Sequence, residues 1–390
     1  MTPSVYVWLR RSLKDIHPDL FSTLLVPKAN ELVATPYRFG GSRDAARTHF
    51  EEGLHEAFVR LREASHPDFP LTIYYAFKQS EDEGDEDGED LGTASTGWET
   101  MLEGLIQACF SIVGTWPVRT ENSSRQRAQG SNALASSVVL VCRPRPEDAQ
   151  QIRRRDFQDR LHEELPPALR TLQQGGIAPV DLAQSAIGPG MAIFSRYRRV
   201  LEADGSAMPV RTALLLINQV LDTFFAEQEG EFDQETRWAL SWFEQQGCRE
   251  GPYGDAESLS KAKDVGLGRL VERGVLSAQA GKVRLLRPQE ILGTNPSSHP
   301  TAWEAVQHLA GAIASGEEAA ADAYQKLGAA ASDLARDLAY RLYALCERQG
   351  WAEEALPYNM LVSSWRGITA LVEQRRRRRD DGLRQGKIAP

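Results

Sequence analysis

The sequence predicts an α/β region of three short strands with attendant helices, followed by a longer, mainly helical region. Three observations carry that expectation. Leu71 to Phe77, Phe110 to Val118 and Ser136 to Cys142 are apolar, β-branched or aromatic runs too brief for helices and bounded by proline or polar stretches. Asp44 to Ala64 and Thr96 to Cys109 repeat apolar residues at helical spacing on either side of the first run. Past Pro144-Arg145-Pro146 the pattern turns helical and arginine-rich, which sets a boundary.

In chain order, Val5 to Lys14 is an apolar stripe followed by cations, and Ala46, Phe50, Leu54, Phe58 and Leu61 share one face of a helix that His66-Pro67 closes. The run LTIYYAF, between Pro70 and an acidic loop, is expected to be a buried strand whose carboxyl end is Lys78-Gln79. Thr96 and Glu99 have the spacing of a capping box, ahead of Met101, Leu102, Leu105 and Ile106 on the apolar face. No helix separates the last two strands. The polar excursion from Arg119 to Leu134 suits a return that makes the last strand antiparallel and closes one edge of a sheet.

Further on, Asp181 to Ala186 and Thr212 to Glu227 are expected helices, the first ended by a turn at Ile187-Gly188-Pro189-Gly190. A helix bearing Trp238, Trp242 and Phe243 leads to Gly247. Two shorter helices follow from about Ala256 to Arg273, with Gly274 stopping the second, and then two strand-like runs around Ala280-Gly281. Helix, helix, helix, hairpin is the order of a winged helix-turn-helix. Trp303 to Ile313 and Leu334, Leu338, Leu342 and Leu345 mark a small helical bundle. The expected division is a partial α/β domain over 1–146, a helical extension over 147–230, a winged-helix-like module over 231–295, a helical bundle over 296–374 and a frayed basic tail over 375–390.

With 390 residues, 42% hydrophobic and 25% charged, the chain has the composition of a globular protein of two or three domains, each able to bury its own core. No run approaches the roughly 18 uninterrupted apolar residues that span a bilayer. Arg10 and Arg11 stand where a signal peptide needs its apolar segment, so a cytoplasmic protein without membrane contact is expected. Cys109, Cys142, Cys248 and Cys346 are far apart, with no C-x-x-C pair, which argues against a disulfide framework or a structural metal.

The net charge of −9 excludes a chain coated all over in nucleic acid, but the charge is uneven. Eight of the ten residues from Glu81 to Asp90 are acidic, which is the pattern of a solvated loop, and Arg375 to Arg379 is an unbroken basic run. In the excursion between the last two strands, Arg119, Arg125 and Arg127 accompany Asn122, Ser123, Ser124 and Asn132, side chains that suit phosphate oxygens and base edges. Lys78, at a strand end, and Lys261, Lys263, Arg269 and Arg273, in the winged-helix-like module, complete the candidate DNA contacts. Asp264 and Glu272 dilute the field there, so protein contact remains an open alternative for that module. Gly188-Pro189-Gly190 and Gly266-Leu267-Gly268 lack the third glycine and the strand-to-helix setting of a phosphate loop and are expected to be turns. The seven histidines are scattered and define no nucleophile–base pair.

The segments VYVWLRRSLKDIHPDLFSTLLVPKANELVATPYRFGG, YYAFKQSE, GTASTGWETMLEGLIQA, FSIVGTWPVRTE and NALASSVVLVCRPR resemble the latter half of the large bacterial adenine-specific DNA methylases that carry a zinc ribbon in their front half. DLAQSAIGPGMAIFSRY, LLLINQVLD, GEFDQETRWALSWFEQQG and LAYRLYALCERQGWAEEAL resemble the carboxyl-terminal extension of the same family, some of whose members are associated with phage defence. The resemblance implies the last three strands of a seven-stranded methyltransferase sheet and methyl transfer from S-adenosylmethionine to the exocyclic amine of a flipped adenine. The family's Asp-Pro-Pro-Tyr segment, cofactor loop and zinc-ribbon cysteines have no counterpart in this sequence. No catalytic or cofactor-binding residue can therefore be named, and this chain alone is expected to bind no cofactor. DNA is the implied partner, with a front-half methyltransferase chain to cover the edge of the strand at Leu71 to Phe77. The alternatives are a non-catalytic DNA- or protein-binding module and a truncated gene product.

Overall fold

Where the apolar runs are short and β-branched the chain forms strands, and elsewhere it is mostly helical, most of all in its carboxyl-terminal part. The computed structural model describes residues 3–26, 32–76, 96–118, 137–291 and 294–385. Contacts divide the chain into two units. The first comprises Met1–Pro70, Gly84–Ser111 and Arg143–Pro146, and the second Leu71–Glu83, Ile112–Cys142 and Glu147–Pro390. Most sheet residues fall in the second unit, with Phe110, Ser111, Arg143 and Pro144 in the first.

In the first unit, α1 (Pro3–Leu13) buries Tyr6, whose hydroxyl donates to the Thr23 carbonyl at 3.0 Å. The Ser42 side chain accepts from the Ala45 amide and starts α2 (Arg43–Ala64). Phe58 of α2 packs on Gly104 of α3 (Thr96–Gln107), whose Trp98, Leu102 and Leu105 are buried. A Cβ on Gly104 would come within 3.1 Å of the Phe58 ring, so glycine sets how close the two helices lie. Cys109, with φ of 62°, ends α3 in the left-handed region, and its carbonyl accepts from the Arg145 amide at 2.8 Å.

The second unit holds a three-stranded sheet of β1 (Leu71–Ala76), β2 (Phe110–Val118) and β3 (Ser137–Pro144) in the order β1-β3-β2. β3 lies in the middle and runs antiparallel to β1, in register from Leu71 opposite Cys142 to Ala76 opposite Ser137. The expected antiparallel last strand is present. The expected burial of the first strand is not. β1 alternates between half-buried and exposed residues, because no described strand lies beyond it. Phe77 falls outside the described residues.

A short parallel pair, β4 (Gln151–Arg153) with β5 (Arg199–Leu201), brackets α4 (Arg154–Gln174) and α5 (Pro179–Ser195). Phe157, Leu161, Leu165 and Leu169 form the buried stripe of α4 at four-residue spacing. α6 (Val210–Gln228) packs on both α4 and α5. The expected turn at Gly188-Pro189-Gly190 is absent: all three residues lie inside α5, for a reason that emerges from its contacts.

Then come α7 (Gln234–Gln246), β6 (Gly251–Pro252), α8 (Tyr253–Lys263), α9 (Leu267–Glu272), β7 (Leu276–Gln279) and β8 (Lys282–Leu285). The sheet order is β6-β8-β7, both pairs antiparallel, with Ala280 and Gly281 at positive φ in the two-residue turn of the hairpin. Trp238 and Trp242 stack with ring centroids 5.7 Å apart, and Gly251 lets β6 pass against the Trp242 ring, where a Cβ would lie 2.6 Å from it. The bundle is centred on α10 (Ala302–Ile313), buried along nearly its whole length and contacted by α11 (Glu317–Leu327), α12 (Ala329–Gln349) and α13 (Ala352–Ser363). The last helix, α14 (Trp365–Gln385), continues through the arginine run, so the frayed tail expected there is helical. No helix among the described residues is long and apolar enough to cross a membrane.

Candidate functional site

The two outer edges of the three-stranded sheet differ. The Ile112 amide of β2 faces away from β3, and it donates to the buried Ser195 Oγ of α5 at 2.8 Å. One turn after Asp181, the helix carries the other half of this closure. Pro189 has no amide to give the Ser185 carbonyl one turn back, and that carbonyl instead accepts from Thr115 Oγ1 of β2 at 3.4 Å. Gly188 admits the approach, because a Cβ there would lie 2.5 Å from Thr115 Oγ1 and 2.6 Å from the Thr115 amide nitrogen. Gly190 does the same for Ile217 of α6. The Gly-Pro-Gly run is thus a docking surface for a strand and a helix.

At the other edge, no described strand pairs beyond β1. Tyr74 is 72% exposed at the middle of the strand, and Val113 and Trp116 of β2 are exposed as well. In the first unit, Trp8, Leu20, Leu24, Leu25, Tyr37 and Phe69 are exposed. Singly exposed apolar side chains of this kind are ordinary on a protein surface.

Of the predicted DNA contacts, Lys78, Arg119, Arg125, Arg127 and Asn132 lie outside the described residues. The other four are brought into one module but are differently engaged. Lys261 Nζ is 3.2 Å from Glu257 Oε1, one turn earlier on α8, and Lys263 is exposed at the end of that helix. On α9, Arg269 Nε lies 2.6 Å from Glu235 Oε1 and Arg273 Nη1 lies 3.2 Å from Glu235 Oε2. Glu235, only 10% exposed at its side chain, sits in the first turn of α7 and pairs with both cations, Arg273 largely covered and Arg269 still exposed. Arg273 also reaches the His299 carbonyl at 3.4 Å. Sequence reasoning missed this clamp because Glu235 is remote in sequence from both arginines.

The same helix start ties the module to the bundle. Asp233 caps α7 through the Thr236 amide at 2.8 Å and also accepts from the Ala302 amide at 3.1 Å, while Thr236 Oγ1 accepts from the Trp303 amide at 3.0 Å. Two helix N-termini share one pair of side chains. On the hairpin side, a two-pronged bridge from Arg284 at 2.7 and 2.8 Å holds the Glu290 carboxyl well below the usual range, at about 2.

Beside these charges, Ser298 Oγ lies 3.1 Å from His299 Nδ1, an exposed pair of sequence neighbours. Burial pushes the Cys142 thiol up to about 12 and the Cys248 thiol up to about 11, and raises Cys346 further, so all three are neutral thiols at neutral pH. No group of three His, Cys, Asp or Glu side chains among the described residues could hold a metal ion. A cleft of about 250 Å³ is lined by Pro288, Ile291, His308, Asp322 and Lys326, and burial lowers the His308 pKa. A second, of about 230 Å³, is lined by Cys248, Arg287, Glu354 and Tyr358.

A family model described as a domain of unknown function, DUF8807, matches residues 233–387, which takes in the region from the start of α7 through α14. None of the curated proteins and none of the solved structures compared with the chain matches it.

Proposed function

We propose that this chain is the carboxyl-terminal portion of an S-adenosylmethionine-dependent DNA adenine methyltransferase, contributing the closing edge of the catalytic sheet and DNA contact. The cofactor site and the Asp-Pro-Pro-Tyr segment come from polypeptide that adds strands beyond β1. The observation that carries this reading is the sheet. Its last strand lies antiparallel, as the sheet of the resembled family requires, and one edge is sealed by α5 while the other presents Tyr74, with no described strand beyond it. The element order α7, β6, α8, α9, β7, β8 and the β6-β8-β7 pairing support a winged helix-turn-helix in the extension.

Isothermal titration and a methylation assay test the proposal. The chain by itself should neither bind S-adenosylmethionine nor methylate DNA, and co-expression with a front-half segment ending in Asp-Pro-Pro-Tyr should give a complex that does both. Micromolar cofactor affinity in the isolated chain, or no complex on co-expression, would overturn it. A second reading, a non-catalytic protein-binding module, is favoured by the Glu235 clamp, which spends the charge of Arg269 and Arg273 internally.

A further inference from the structure

The two halves of α14 differ in what surrounds them. Its first half is core: Trp365 and Ile368 are buried, and Trp365 lies edge-on to Tyr324 of α11 with centroids 5.8 Å apart. The last described anchor is Arg375, whose guanidinium lies 2.6 Å from Glu318 Oε2 and 2.7 Å from Asp322 Oδ1, both on α11. Beyond it Arg376, Arg377 and Arg378 are exposed, and the helix carries on to Gln385. Successive residues on a helix are about 100° apart, so three consecutive arginines point to three different sides and cannot all be neutralised by one neighbouring element. The only acid near them among the described side chains is Glu373, 4.0 Å from Arg377, in a pair so exposed that it is worth little.

We infer that this helix segment is a phosphate-backbone clamp for nucleic acid. From Arg376 to Gln385, past the paired Arg375, the sequence has five arginines and two carboxylates, Asp380 and Asp381, so the segment is cationic within a chain of net charge −9. Guanidinium groups bind phosphate in a two-pronged geometry, and contacts to backbone phosphate need no sequence-reading surface. An anionic membrane is the weaker fit. The segment has Leu383 as its one large apolar residue, and a helix that lies in a bilayer surface needs an apolar face. The fixed position of Arg375 gives the clamp a rigid base. The inference needs neither cofactor nor methyl transfer, and it stands apart from the reading of the sheet.

Fluorescence anisotropy of the full chain with labelled duplex and single-stranded DNA, over a salt series, tests it. Replacing Arg376, Arg377 and Arg378 together with Ala should weaken binding and reduce the log–log salt slope by about one to two units, since residues on different sides of the helix do not all reach one backbone, while the melting temperature stays put because these side chains are exposed. The triple Lys variant, which keeps the charge, should retain most of the slope. An Ala variant with the slope of the parent would overturn the clamp, and so would tighter binding to phosphatidylserine vesicles than to either DNA. The companion variant Arg119→Ala, Arg125→Ala, Arg127→Ala separates a contribution of the loop from that of the helix.

Discussion

One sheet, three strands wide, treats its two edges in opposite ways. At β2 the outward amide of Ile112 is satisfied by Ser195, and α5 is shaped by Gly188 and Pro189 to lie on the strand at contact distance. At β1 Tyr74 is exposed, and no described strand pairs with the outer edge. An unpaired row of backbone groups is a template for another strand, and proteins that leave an edge free usually blunt it with lysine, proline or a bulge. β1, with the sequence LTIYYA, has none of these. The two edges thus differ in what the described residues place against them, and on the proposed reading β1 is the edge to which further strands would add.

The most damaging way to break the closed edge is to put a side chain where α5 has none. Gly188→Val should destabilise the second unit by about 3 kcal/mol, at the upper end of what overpacking costs, because the clash is with the Thr115 backbone as well as its hydroxyl. Urea unfolding would show a lower midpoint at unchanged slope. A midpoint equal to the parent's would mean that α5 does not rest on β2 as described. A smaller loss is expected from Ser195→Ala, which leaves the Ile112 amide buried without its partner and costs about 2 kcal/mol. Ser195→Thr, which keeps the hydroxyl, should recover part of it.

This closed edge also marks the limit of what the sequence discloses. The helices at Arg43–Ala64 and Thr96–Gln107, the three strands and the hairpin at Ala280-Gly281 follow from apolar period and turn chemistry, which are local. Gly188-Pro189-Gly190 follows the same local rules into the wrong answer. Glycine and proline signal a turn unless something outside the segment makes their deficits useful, and in α5 Thr115 supplies the donor that Pro189 lacks. The Glu235 clamp on Arg269 and Arg273 is non-local in the same way: a list of cations read along the chain cannot show which are already paired. β6 escaped notice because two residues, Gly251 and Pro252, carry no strand pattern of their own. The arginine run was visible as charge. That it is helical and anchored at Arg375 was not, since both depend on Glu318 and Asp322 of α11.

The smallest effect on stability, and the sharpest on the comparison, belongs to the open edge. Tyr74→Lys changes a side chain that is mostly in water, so the unfolding free energy should move by no more than about 0.5 kcal/mol. Its effect lies in association. A lysine on the outer strand places a charge that a joining strand would have to desolvate, which is how natural edges repel partners. If β1 is the point where further strands add, the variant should fail to form the complex with a front-half segment while unfolding as the parent does. Hydrogen exchange gives the matching control within one molecule. The β1 amides that face away from β3 should exchange quickly in the chain by itself and slowly in the complex, whereas the Ile112 amide should be slow in both. Slow exchange of every β1 amide in the monomeric chain would show that the edge is already covered, and the two edges would then be alike.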